Sequence, residues 1–224
     1  MFPESYTYTW LALHYSVRAR ALGGFMGAIV AIIGGHILGF WLDRASVSLK
    51  RRTRIAFAAV VLHQAGVWIW STVVQQAYKN DPSDLVYDWA DGNSFSKGWT
   101  LYLFLSNGFQ INYLFCYFLV GTLADSPADL LRLGGLLRAT ESAAQAIAYG
   151  LNSLDSFTSG PGGNALNFAL WGAAIYPAWL VVRDVGVVYF GRAEREAQQA
   201  RDIADGKASG ASSIDEKTTA GIQA

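Results

Sequence analysis

The residues with the most chemical potential lie between positions 138 and 152. Arg138, Glu141, Ser142, Gln145, Tyr149 and Asn152 recur at steps of three and four, which on a helix turning about 100° per residue places them on one face. Leu136, Leu137, Ala143, Ala144, Ala146 and Ile147 occupy the opposite side. A cation and a carboxylate on the polar stripe of an otherwise apolar helix admit two readings. In one, they line or gate a path for a polar solute, because ionisable groups in apolar surroundings usually face a cavity or a partner. In the other, spaced i and i+3, they pair with each other or with a neighbouring helix and hold a bundle together.

A second polar stripe runs through Ser106, Gln110, Tyr113 and Tyr117, with Asn107 beside Gln110 and Asn112 directed elsewhere. If the two stripes face each other, a wet, aromatic-lined cavity between them suits a polar or amphipathic small molecule. The same amides also serve as interhelical glue. The lining expected of such a path is Arg138, Glu141, Gln145, Asn152, Gln110 and Tyr113.

The elements that must position these residues are long and apolar. Of 224 residues, 52% are hydrophobic and 15% charged, with the charges crowded into short stretches. Nearly charge-free runs fall at Leu22–Leu42, Ile55–Val74, Trp99–Leu123 and Ala165–Val182, each near the roughly 20 residues that carry a helix across a bilayer. Such helices in succession have no polar face to show water, so the fold expected is all-α, a polytopic transmembrane helix bundle. The bilayer is the expected partner. A formal net charge of zero gives no electrostatic grip on nucleic acid.

Topology adds a fifth span. Arg44, Lys50, Arg51, Arg52 and Arg54 follow the first run, and Arg183, Arg192 and Arg195 follow the last, so the positive-inside rule puts both regions in the cytosol. An even number of crossings must separate them, and only if Leu130–Leu154 also crosses does the count agree. The segment from Gln76 to Ser96 then lies outside with Asp81, Asp84, Asp88 and Asp91, and Trp89 and Trp99 suit the interface. Arg18 and Arg20 fall on that outer side, reaching headgroups or pairing with a neighbour. Before them, Tyr6–Val17 is too short to span and lacks the pattern of a signal peptide. It reads as the end of a helix whose beginning is absent, so the expectation is five spans and a partial one in a partial chain. Residues 191–224 turn from a mixed-charge helical stretch to a Ser/Gly/Thr/Ala-rich one, expected to be a cytosolic, largely disordered tail.

Other chemistry is thinly represented. His14, His36 and His63 stand apart without a second ligand at metal spacing, and no phosphate loop, CxxC pair or nucleophile elbow occurs. No metal, cofactor or enzymatic activity is therefore expected. The single cysteine, Cys116, lies within an apolar run as a small apolar residue. Gly23, Gly27, Ala31, Gly35 and Gly39 form an i+4 series, a smooth ridge for close helix packing that also permits two helices to slide.

Between the first two runs, Gly39-x-x-x-Asp43-Arg44 followed by Lys50, Arg51 and Arg52 resembles the cytosolic loop motif of the major facilitator superfamily, without its Gly-Arg element. HYSVRARAL from His14 to Leu22 and RATESAAQAIAYGLNS from Arg138 to Ser153 are similar to the uncoordinated-ninety-three-like branch of that superfamily. The resemblance runs from about Trp10 to Tyr189 and matches the second half of a twelve-helix transporter. It implies inverted repeats with binding between two halves, hence translocation of a small solute, of unassigned identity, by alternating access. A second transporter half is then an implied partner. The branch also contains regulators and trafficking partners of other membrane proteins, which implies the alternative of a non-transporting adaptor binding through the glycine ridge and tail.

Overall fold

The computed structural model describes residues 11–79, 86–153 and 162–204. Six α-helices account for most of them: α1 Val17–Leu42, α2 Leu49–Lys79, α3 Asn93–Leu123, α4 Pro127–Asn152, α5 Gly162–Asp184 and α6 Gly191–Ala204. A 3₁₀ turn at Trp89–Asp91 precedes α3. Among the described residues there is no β-sheet, only isolated bridges joining Tyr15 to Tyr87 and Val185 to Tyr189. The architecture is an all-α helix bundle. Four helices, α1, α2, α3 and α5, are long and apolar enough to cross a membrane, and the chain is a multi-pass membrane protein.

Two apolar clusters show how the helices run. One joins Ala19 of α1, Trp68 and Val74 of α2, and Leu101, Tyr102 and Leu105 of α3, together with Leu11, Tyr15 and Tyr87. The other joins Leu38 and Leu42 of α1, Ala56 and Val60 of α2, Phe115 of α3 and Val182 of α5. The start of α1 thus meets the start of α3 and the end of α2, and at the opposite pole the end of α1 meets the ends of α3 and α5. α1, α3 and α5 run one way and α2 the other. The chain leaves α3 at the second pole and enters α5 near the first, so α4 carries it from pole to pole. Its 26 residues reach about 39 Å at 1.5 Å per residue. Phe25, Ile32, Ile37, Phe40, Leu62, Val73 and Tyr176 stand exposed on the outer faces, where hydrocarbon replaces water as their solvent.

Several boundaries differ from the sequence expectations. α1 begins at Val17, not Leu22, because the Ser16 hydroxyl caps it by accepting the Ala19 N–H at 3.1 Å. The preceding helical turn ends by Tyr15, which pairs with Tyr87, so the described part of the expected partial helix does not reach Val17. α2 begins at Leu49, so Lys50, Arg51, Arg52 and Arg54 lie within its first turns and not in a loop. α4 starts at Pro127, behind a Ser126 cap and with Asp129 in its first turn. Residues 191–204 of the expected tail form α6, the mixed-charge helical stretch; Ala, Glu, Arg and Gln there are good helix formers. The rest of that expected tail, 205–224, lies outside the described residues, as do Asp81 and Asp84.

Packing on α3 explains most of the glycines. Side chains at Gly23 and Gly27 would press on Tyr102, Trp99 and Ser106, and one at Gly35 would meet Leu114 at 2.9 Å. Gly34, outside the i+4 series, is held more tightly still, since the Asn107 amide occupies the space its side chain would need. Gly39 faces open space. The expected loop motif is spread over three settings. Gly39 is within α1, Asp43 caps that helix through its backbone N–H to the Gly39 carbonyl at 2.8 Å, and Arg44 sits in the turn. Arg51 and Arg52 belong to α2. Arg52 is buried and donates to the Arg44 carbonyl at 3.3 Å, while Trp41 Nε1 donates to the Arg52 carbonyl at 3.0 Å.

Candidate functional site: the Arg138–Glu141 pair and the cleft beside α3

Arg138 and Glu141 lie one turn apart on α4 and pair with each other. Arg138 Nη1 donates to both carboxylate oxygens of Glu141, at 2.9 and 2.8 Å. The guanidinium also stands over the ring of Tyr113 on α3, 5.6 Å from its centroid, close enough for cation–π attraction. Tyr113 in turn donates its hydroxyl to Tyr117 at 3.1 Å, with the rings edge-on at 4.7 Å. The side chain of Glu141 is 11% exposed and that of Arg138 59%, so the carboxylate is held inward and the cation reaches out of the α3–α4 seam.

Beside this group lies a cleft of about 230 Å³, bounded by Phe109, Asn112, Tyr113 and Cys116 of α3 and by Thr140 and Glu141 of α4. Pairing with Glu141 leaves the two side chains without net charge. The same ion pair in water is worth well under 1 kcal/mol, so its hold is weak wherever water enters.

Of the expected path residues, the structure brings together Arg138, Glu141 and Tyr113. Gln110 is not with them: it lines a separate cleft of about 800 Å³ between α1 and α3 with Gly35, His36, Gly39 and Asp43. Gln110 and Tyr113 point about 60° apart on α3 at 100° per residue, and α1 and α4 flank the helix on either side, so one stripe feeds two clefts. Gln145 is half-buried on α4 but does not line the Glu141 cleft. Asn152 is the last residue of α4, and its side chain lies outside what the structure describes. Asn112 and Cys116, set aside in the sequence, are wall residues; their positions three and seven after Phe109 are the signal that marks that face. Among the described residues no group of three or more His, Cys, Asp or Glu is placed to hold a metal. His36 Nδ1 lies 2.8 Å from the Ile32 carbonyl of its own helix, and His63 Nε2 lies 3.3 Å from the Phe104 carbonyl.

A further polar group joins α2 to α5. Ser71 donates to Asn164 Oδ1 at 2.8 Å, Asn164 Nδ2 donates to Thr72 Oγ1 at 2.8 Å, and Thr72 donates to the Trp68 carbonyl at 2.9 Å. Ser71 and Asn164 are buried. At the first pole, Arg18 pairs with Asp88 at 2.6 Å and stands over the Trp89 ring at 5.0 Å, which gives the outlying Arg18 its partner. Asp88 also caps the 3₁₀ turn, and the Trp89 N–H, ahead of the contributions of Ser16 and Arg18, holds its carboxyl below the usual carboxylate range.

Fold and site together define a polytopic helical membrane protein with a charged pair beside a cleft between α3 and α4. Over 188 residues the chain is 33% identical to notoamide biosynthesis cluster protein O' of Aspergillus versicolor. That match takes in 84% of this chain and 40% of the relative, so the chain spans well under half the length of the protein it matches. No family model matches the chain, and no solved structure does.

Proposed function

We propose that the chain is part of a major-facilitator-type transporter that moves a small solute across the membrane, and that Arg138 and Glu141 form its switchable binding pair. The observation that supports this reading is the cleft of about 230 Å³ with an aromatic wall, lined by Glu141 of the pair, on a helix that runs from pole to pole. Ionisable groups so placed mark solute paths more often than they serve stability. The relative's name sets it in a biosynthesis cluster, which favours a small biosynthetic product as the solute.

The C-terminus is assigned to the cytosol. Arg44, Lys50, Arg51, Arg52, Arg54, Arg183 and Arg195 all gather at the pole where α1, α3 and α5 end, whereas Asp88 and Asp91 stand at the other, in keeping with the positive-inside rule. α4 is then the fifth crossing. An adaptor working through the glycine ridge finds less support, since α3 already covers Gly23, Gly27 and Gly35.

Cysteine accessibility tests the path. In a Cys116→Ala background, a cysteine at Thr140 or Ala144 is expected to react with a membrane-impermeant methanethiosulfonate from one side of sealed vesicles, and faster when solute is added. Lack of reaction from either side, in protein that still binds detergent-free membranes, removes the water-filled path and with it the transport reading.

A further inference from the structure

A third cavity shares Asn112 and Cys116 with the α3–α4 cleft and draws the rest of its wall from other residues. It lies among α2, α3 and α5, with a volume of about 280 Å³. Its walls are mainly apolar, with Phe57, Phe115 and Trp171 the largest faces, and none of its lining residues is Asp, Glu, Lys, Arg or His. Set among them are Gln64, Trp68 and Asn167, at 6%, 0% and 2% exposure. Each has a buried polar atom without a hydrogen-bond partner: Gln64 Oε1, Trp68 Nε1 and Asn167 Oδ1. The Asn167 amide is oriented by donating Nδ2 to the Gly163 carbonyl at 2.7 Å, which leaves its oxygen as the free acceptor. Gln64 Oε1 lies against Gly108 of α3, where any side chain would run into it.

One unpaired buried polar atom costs about 1–3 kcal/mol, and a bilayer supplies no water to relieve it. Three on one cavity is a concentration that packing alone does not explain. Water fills the space poorly. The volume takes at least about nine molecules at roughly 30 Å³ each, every one needing two to four polar partners, whereas the polar side chains on the wall are Gln64, Trp68, Asn112, Asn167 and Trp171, with the weak donor Cys116.

We propose that this cavity binds an uncharged, mainly apolar small molecule that carries both a hydrogen-bond donor and an acceptor, as a lactam does. The donor satisfies the oxygen of Asn167 or Gln64, the acceptor takes the Trp68 indole N–H, and the apolar body covers Phe57, Phe115 and Trp171. A charged ligand finds no counter-charge there and stays out. The site does not rest on the transport reading, because its occupancy is measurable without transport.

Cys116, the chain's single thiol, borders this cavity and also the α3–α4 cleft, so it reports occupancy of either, and substitutions in each tell the two apart. The intact protein in lipid nanodiscs is treated with a small membrane-permeant methanethiosulfonate, and modification is followed by intact mass. Phenanthridinone, a planar uncharged lactam, is the probe, and its N-methyl derivative, which keeps the acceptor and lacks the donor, is the control. Phenanthridinone is expected to slow the reaction saturably, and N-methylation to weaken that protection about tenfold, as the loss of a hydrogen bond to a buried acceptor does. Asn167→Leu is expected to weaken it similarly, and Arg138→Ala to leave it unchanged. No protection up to the solubility limit means a cavity holding water only and overturns the proposal. Equal protection by the two lactams also overturns it, as does protection that Arg138→Ala removes and Asn167→Leu does not. If Asn167→Leu does not fold, Ala178→Phe fills the same cavity with the same expected loss, and the comparison of the two lactams on the unsubstituted protein needs no variant.

Discussion

Replacing Asn164 with leucine removes the one side chain that bonds α2 to α5 through both its donor and its acceptor. Leucine nearly conserves the volume, so the cavity penalty of a truncation is avoided and the polar contribution stands alone. Interhelical hydrogen bonds within membranes average about 0.6 kcal/mol, with a maximum near 1.7, so two of them amount to about 1.2 kcal/mol. Ser71 recovers part of its loss by turning its hydroxyl to a carbonyl one turn back on α2, which brings the expected destabilisation to about 1 kcal/mol. Unfolding equilibria in mixed micelles, read as a double-mutant cycle with Ser71→Ala, measure it. The coupling between the two substitutions is expected at about 0.5 kcal/mol or more. Effects that add within about 0.3 kcal/mol, or an Asn164→Leu protein as stable as the parent, refute the reasoning.

Three further outcomes follow from the packing and the loop. Gly34→Ala drives a methyl group into the Asn107 amide and is expected to cost about 1–3 kcal/mol. Adding Asn107→Ala to it restores most of the loss, and a neutral Gly34→Ala contradicts the close approach of α1 to α3. Gly186→Ala faces both a positive φ of 71° and the backbone of Lys50, so it is expected to loosen the turn after α5 from the start of α2, seen as faster amide exchange at residues 49–52. Asp88 is held below its usual pKa, so its contribution to stability is complete above the ordinary carboxylate value, near 3.9, and is lost as pH falls through the lower folded value. Exchange protection of the Ser16 and Tyr87 amides, bonded to Tyr87 and His14 carbonyls at 3.0 and 2.9 Å, should therefore fall below about pH 4. Asp88→Asn should abolish that pH dependence, and an unchanged profile in the variant would assign it to another group.

Apolar runs were enough to place α1, α2, α3 and α5, because twenty residues without charge leave few alternatives to a spanning helix. They missed the helix starts, since the signals there are polar. Ser16 caps α1 well ahead of the run that begins at Leu22, and Ser126-Pro127 with Asp129 is a start signature that hydropathy does not weigh. The pairing of Arg138 with Glu141 was legible from their i, i+3 spacing. Which cleft each polar residue of α3 enters was not, because that depends on where α1 and α4 stand around it: Gln110 and Tyr113 share a stripe in sequence and are separated in space. The Asn164, Asn167 and Trp171 face of α5 and the Gln64, Trp68 and Ser71 face of α2 do follow helical steps. Each is marked by uncharged residues in an apolar run, so neither stood out from interhelical glue until the two were seen to meet.

Solute movement tests the central claim most directly. The protein, reconstituted in sealed vesicles with candidate biosynthetic solutes, is compared with Arg138→Ala, Glu141→Ala and the exchanged pair Arg138→Glu with Glu141→Arg at matched amounts in the membrane. Either alanine is expected to lower the initial rate at least about tenfold while folding is retained, since each removes one half of the proposed solute site, and the exchanged pair is expected to restore folding more fully than rate. Transport unaffected by either alanine contradicts the assignment of this pair as the solute site.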